Sequence, residues 1–491
     1  MSEVIYLNIK NLPPVALWKN FLGLCSVPHP STKEEKIREY VVNFGRNLGL
    51  ETIVDEVGNV IIRKPATKGK ENLKGIILQG HLDMVPQKNA ETVHDFEKDP
   101  ISLRIDGEWV KAQGTTLGAD NGIGVAAAMT ILESKDLEHG PIECLFTIDE
   151  ETGMTGAFGL KSGILKGDIL LNLDSEDEGE LYIGCAGGIN TSAKFTYTED
   201  KVNANSVAYN IIVKGLKGGH SGLDINLGRG NSNKIMIRLL WLAKRKMKLR
   251  LSSIEGGNLR NAIPRETFVT VVLPATEEQK FNEFIKECSN NILTQFHAAD
   301  PDLKIIAEKT HLPSTLIDEK TENNFINAVY GCPNGVIAMS SDIPGLVETS
   351  SNLAIVKSEN GNIEIMCLLR SSVEQAKSDL ANQIECVFLN AGAIVEHSGD
   401  YPGWKPNVYS EILTLAKLIY HKLYKKDPAV KAIHAGLECG LLGMVYPNWD
   451  MISFGPTIRS PHSPDERVNI PSVEKFWNFL LNILKSVPVK K

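Results

Sequence analysis

Apolar and polar positions follow different rhythms in different parts of the chain. As far as about Gly188, short continuous apolar runs alternate with stretches of helical period. Val15, Leu17, Trp18, Phe21 and Leu22 recur at helical spacing and predict a helix over 14–24. Ser31-Thr32-Lys33-Glu34 reads as a capping box opening a second helix to about Leu50. Runs over 52–54, 60–62, 76–78, 145–148 and 168–173 have the length and composition of buried strands, and Leu117-Gly118-Ala119 reads as another apolar run ending at Asp120. After Asp120 the glycine-punctuated run from Asn121 turns into a helix reaching about Ser134. Its glycines fit neither a dinucleotide fingerprint nor a Walker loop, which leaves close packing of the helix on a sheet as their purpose.

From about Ile189 to Ser398 the strands lengthen and alternate, as at 191–197, 208–213, 266–273 and 363–369, with helical patterns at 232–248, 277–296 and 372–390 between them. Half-buried strands covered by helices describe an α+β domain. The helical pattern resumes after Asn407, followed by the apolar run 451–454 and a last helix at 472–484. The expected architecture is an α/β catalytic domain with a mostly parallel central sheet flanked by helices, built from 1–188 and 399–491. An α+β lid domain over 189–398 is inserted into it.

The length of 491 residues fits this division, since one core rarely grows so large. A net charge of −8 argues against nucleic acid as the main partner. The cluster Lys244, Arg245, Lys246, Lys248 and Arg250 ends an apolar helical run and reads as its solvated end. Met1-Ser2-Glu3-Val4-Ile5 lacks the features of a leader, and no apolar run approaches the ~20 residues of a membrane span, so a cytoplasmic protein without membrane association is expected. Eight scattered cysteines without a Cys-x-x-Cys pair suit reduced core thiols; Cys185 and Cys439 have no spacing that supports a catalytic thiol.

The chemistry gathers at the ends of apolar runs. His81 and Asp83 come after 76–78, Asp120 after 117–119, Glu150 and Glu151 after 145–148, and Asp174 after 168–173; His462 stands near the C-terminus. In α/β sheets such strand ends hold the ligand sites. Two histidines with several carboxylates and no sulfur are the ligand set for Zn²⁺, Co²⁺ or Mn²⁺. Five ligands exceed one open catalytic site and suit two metals sharing a carboxylate. One of the adjacent glutamates can serve as a base; on a strand they would point to opposite sides, whereas a turn would aim both at the site.

The motifs Gly80-His81-Leu82-Asp83-Met84-Val85-Pro86, Leu117-Gly118-Ala119-Asp120-Asn121-Gly122, Asp149-Glu150-Glu151-Thr152-Gly153, Leu173-Asp174-Ser175-Glu176, Gly218-Gly219-His220-Ser221-Gly222 and Ser460-Pro461-His462-Ser463-Pro464 resemble those of the di-zinc peptidases. That family includes carboxypeptidase G, the tripeptidase T group and the carnosinases. The resemblance covers about 10–485 and implies that His81, Asp120 and Asp174 hold one zinc and Asp120, Glu151 and His462 the other. Asp120 would bridge them, with a cis peptide to Asn121. It implies Glu150 as the general acid/base for a water between the metals, Asp83 as the acceptor fixing the His81 ring, and His220 as an oxyanion donor from the lid, often of a partner subunit. Asn261 and Arg370 would hold the substrate carboxylate, and Gly436 and Glu438 the free amino end. A homodimer formed through the lid is implied as well.

The activity this implies is hydrolysis of unblocked dipeptides with broad specificity, including Xaa-His such as β-alanyl-histidine. A deacylase of N-acyl amino acids is the alternative, because the same metal pair cleaves any accessible amide. A non-catalytic protein on this fold would be expected to have lost ligands or the base, and all are present.

Overall fold

The computed structural model describes residues 8–490, so the reading of Met1 to Ile5 lies outside the described residues. The chain forms two compact units: one reaches Gly184 and takes in Pro406–Ala432 and the chain from Leu437 on, and the other is Cys185–Lys405 with Ile433–Gly436.

The first unit is centred on an eight-stranded sheet in the order Glu51–Val54, Val60–Lys64, Ile142–Thr147, Ile76–His81, Ile169–Asn172, Asp450–Ser453, Glu180–Cys185, Ala429–Ile433. Ile142–Thr147, Ile76–His81, Ile169–Asn172 and Asp450–Ser453 run parallel, and the pairings of Glu51–Val54, Val60–Lys64 and Glu180–Cys185 are antiparallel. The first three parallel strands are buried at every position, which is why they read as continuous apolar runs. Their registers align His81 with Thr147 and Gln79 with Asn172, so one end of the sheet delivers several loops to the same place.

The helix Ala119–Glu133 is apolar all round and correspondingly buried, from Ile123 to Leu132. A Cβ at Gly124 would stand 2.5 Å from the Leu173 carbonyl oxygen, and one at Gly122 would stand 3.0 Å from the Phe21 ring. The glycines thus serve close helix packing, as their spacing predicted. The second helix starts at Glu35, three residues later than the capping-box reading. Ser31 Oγ donates to the Met84 carbonyl instead of capping a helix, and the Glu34 carboxylate accepts from the nearby Thr32 N–H.

The second unit is built on a nine-stranded sheet with antiparallel pairings. The helices Ser232–Lys246, Glu278–Phe296, Glu319–Gly331 and Glu374–Asn390 contribute to its core, which includes Phe195, Leu239, Phe281, Phe325 and Phe388. The basic cluster is less solvated than its sequence suggests: Lys244 and Arg250 both pair with Glu322, which is fully buried. The eight cysteines form no disulfide, and only Cys386 is exposed. Among the described residues no helix is long and apolar enough to cross a membrane.

Candidate metal centre

His81 is the last residue of its strand, and Asp83 sets the orientation of its ring. Nδ1 lies 3.0 Å from the Asp83 carbonyl oxygen and 3.3 Å from Asp83 Oδ1, leaving Nε2 facing Asp120 Oδ1 at 3.2 Å and Asp174 Oδ1 at 3.4 Å. Asp83 also accepts from the backbone N–H groups of Glu150 and Glu151 at 3.0 and 3.2 Å. One buried carboxylate therefore orients the imidazole and fixes the turn that carries both glutamates. Burial opposes its charge, but the His81 ring and the Glu150 N–H outweigh that and bring the carboxyl down to about 2.

The strand carrying the glutamates ends at Thr147, so Glu150 and Glu151 sit in a turn rather than on opposite faces of a strand. Asp149 accepts from the Thr152 and Thr155 hydroxyls and pins that turn. His462 lies on a loop at φ +57°. Its Nε2 is 3.3 Å from Asp120 Oδ2 and 2.9 Å from Glu151 Oε2.

Asp120 departs from the strand-end reading. Leu117-Gly118-Ala119 is not a strand, and Asp120 lies in the first turn of the helix Ala119–Glu133, with a cis peptide to Asn121. The Glu466 carboxylate accepts from four successive N–H groups, Leu117 at 2.7 Å, Gly118 at 3.0 Å, Ala119 at 2.8 Å and Asp120 at 3.3 Å. These donors would otherwise pair within a strand ladder, and Gly118 at φ +70° turns the chain away from one. Glu466 was not legible: it comes after Pro464-Asp465 in what reads as a solvated turn, yet it is 2% exposed. Glu466→Ala should destabilise the metal-free protein by about 3 kcal/mol or more, because it strands several buried donors. Urea unfolding checks this, and a change below about 0.5 kcal/mol, ordinary for a surface substitution, would contradict it.

These elements bring His81, Asp120 and Asp174 together in one trio and Asp120, Glu151 and His462 in another, with the ligand atoms of each within 4.8 Å of one another. Glu150 forms a further trio with His81 and Glu151. Glu151 Oε1 and Asp174 Oδ1 are buried without hydrogen-bond partners. Burial first, then neighbouring charge, raises Glu150 well above the carboxylate range and pushes Asp174 and Glu176 up to about 8. The hydrogen bonds of Asp120 and Glu151 push His462 up to about 11, so a proton sits where a cation would compete for the same lone pair. Crowded carboxylates, unpaired buried oxygens and inward imidazoles fit two divalent cations with Asp120 shared.

The other expected site residues divide between the units. Glu438 is buried in the first unit, where its Oε2 accepts from Gln79 Nε2 at 2.6 Å and Thr147 Oγ1 at 2.8 Å. Gly436 belongs to the short segment of the second unit in which His434 Nε2 lies 2.7 Å from Ser350 Oγ. In the second unit His220 Nδ1 accepts from the N–H groups of Gly222 and Leu223 at 3.1 and 3.0 Å, so the neutral ring carries its proton on Nε2. Arg370 is 5% exposed, and among the described residues no carboxylate pairs with it. Asn261 is exposed, and its carbonyl accepts from the Ser221 N–H at 2.8 Å.

Residues 77–486 match the peptidase family M20/M25/M40. The chain is 45% identical over 482 residues to the cytosol non-specific dipeptidase of Escherichia coli K12, covering 98% of this chain and 99% of that one. The solved aminoacylhistidine dipeptidase of Vibrio alginolyticus is 48% identical and superposes with a TM-score of 0.94, covering 98% and 99% of the two chains. A tripeptidase of Staphylococcus aureus shares the fold at 16% identity and a TM-score of 0.56, covering 96% and 98%. A sequence match that takes in every residue of the two trios, and near-full-length likeness to two dipeptidases, place this chain in the peptidase family M20/M25/M40.

Proposed function

We propose that this protein is a metal-dependent dipeptidase of broad specificity that hydrolyses unblocked dipeptides, including Xaa-His substrates such as β-alanyl-histidine. The observation that carries the reading is the double trio sharing Asp120, with Glu150 beside it and no ligand replaced. The names of the two near-full-length relatives support the substrate class.

His81, Asp120 and Asp174 would hold one cation and Asp120, Glu151 and His462 the other. An all-nitrogen-and-oxygen ligand set favours zinc, with cobalt or manganese as substitutes. When bound, such a pair supplies an acidified water and a polarised carbonyl. Glu150 takes the proton of the attacking water and returns it to the leaving amine nitrogen as the C–N bond breaks. Asp83 holds His81 and the glutamate turn in place throughout, and Glu438, with the backbone around Gly436, would bind the free amino end of the substrate. His220 donates its Nε2–H to the developing oxyanion, a role its two accepted N–H bonds prepare. Arg370, buried and without an acid partner among the described residues, calls for an anion, and the free carboxylate of a dipeptide provides one. Asn261 and Gly436 would border the same substrate. The second unit, as a lid, would also carry homodimer contacts.

The test against deacylation of N-acyl amino acids is a pair of substrates. A free dipeptide should be cleaved at least about 100-fold better in kcat/KM than its N-acetyl analogue, as expected when a site built for a charged group meets one lacking it. The reverse preference would replace this reading with the deacylase.

A further inference from the structure

Arg370, Gly188 and Tyr401 stand side by side on three adjacent strands: Arg370 pairs with Gly188, and Gly188 pairs with Tyr401. A Cβ on Gly188 would lie 2.6 Å from Tyr401 Oη and 2.7 Å from two of its ring carbons. The missing side chain is therefore what lets the tyrosine ring lie across the middle strand and reach the arginine. Its phenolic oxygen is 2.9 Å from Arg370 Nη1. The buried Lys377 ammonium holds the Tyr401 carbonyl at 2.6 Å, fixing the residue from its backbone side. On the other side of the guanidinium, Arg370 Nε donates to Ser221 Oγ at 3.3 Å, and Ser221 is 1% exposed.

A guanidinium only donates, so both hydroxyl oxygens here act as acceptors. Each hydroxyl then keeps its own hydrogen, and among the described residues neither has another side-chain or backbone partner. The cluster thus presents one buried cation flanked by two uncommitted O–H donors. Its field is positive: burial first, and then the Arg370 charge, lowers both His220 and His434, the latter to about 3. A fixed cation flanked by two hydroxyl donors matches a carboxylate, whose two oxygens accept several hydrogen bonds at once.

We propose that Tyr401 and Ser221 are specificity-determining residues that, with Arg370, form a three-donor cradle for the free C-terminal carboxylate of the substrate. This rests on the dipeptidase reading. It adds that discrimination between a free and a blocked C-terminus is built into the Arg370–Gly188–Tyr401 register and does not come from the arginine alone.

The experiment measures kcat and KM for a free dipeptide and for its C-terminal amide in the wild type, Tyr401→Phe and Ser221→Ala. Tyr401→Phe keeps the ring against Gly188 and removes only the hydroxyl. It should raise KM for the free dipeptide about 10- to 30-fold with kcat within about 3-fold, as expected for a hydrogen bond to a charged group that acts in binding. The amide should be cleaved equally by both proteins, so the preference for the free acid shrinks by the same factor. Ser221→Ala should act in the same direction by about 5-fold, its contact being longer. A Tyr401→Phe enzyme whose KM for the free acid stays within 2-fold of wild type overturns the cradle and leaves the dipeptidase reading standing. A wild type that cleaves acid and amide alike overturns the cradle and leaves hydrolysis of free dipeptides standing; one that cleaves neither overturns both.

Discussion

Glu150→Gln should lower kcat by about 10³-fold or more while the protein retains close to two metals per chain, because general acid–base catalysis alone is worth that much. The substitution keeps the size of the side chain and the backbone N–H that anchors it to Asp83. It removes the carboxylate that burial first, and then Asp174, Glu438 and Glu151, make a strong proton acceptor. The variant also separates two roles open to this residue, since Glu150 lies in one trio with His81 and Glu151. Metal retained with turnover abolished assigns it as the base; metal lost together with turnover makes it a ligand. Wild-type turnover would reject both.

Asp120→Asn should lower occupancy from about two metals per chain to well below one and abolish activity with it, because metal binding needs deprotonated ligands and this carboxylate serves two trios. Asp120 is the one residue common to the trios built on His81 with Asp174 and on Glu151 with His462. Its surroundings are arranged to keep it ionised. Burial opposes its charge, yet the hydrogen bonds of His462 and His81 hold the carboxyl well below the usual carboxylate range. Two metals retained in Asp120→Asn, read by elemental analysis, would contradict the shared-ligand assignment. The same variant mixed with His220→Ala tests the lid histidine: activity recovered in the mixture places His220 in the partner subunit of a homodimer.

The parallel strands were legible because burial on both faces demands unbroken apolar runs, and the polar residues closing those runs stood out against them. His81, Glu150, Glu151 and Asp174 come from such ends. The loop bearing Asp120 was misread as a strand because its backbone donors are taken by Glu466, about 350 residues away in sequence, and no local pattern carries that contact. The early start given to the second helix has the same cause, since Ser31 spends its hydroxyl on Met84. Arg370 was visible as an arginine closing a strand, but its partners were not. Tyr401 reaches it only because the residue between them on the sheet is glycine, a fact of register rather than of motif. The basic cluster misled in a similar way, because the buried Glu322 that engages Lys244 and Arg250 lies on another helix.

On this reading two divalent metals held by these trios make the chain a peptidase. The most direct measurement is metal content alongside hydrolysis of a free dipeptide such as β-alanyl-histidine, before chelation, after it, and after zinc or cobalt is restored. We expect about two metals per chain, with activity lost on chelation and regained on restoration, as a two-metal site requires. Full activity in the metal-free protein, or a protein that takes up no metal tightly, would contradict it.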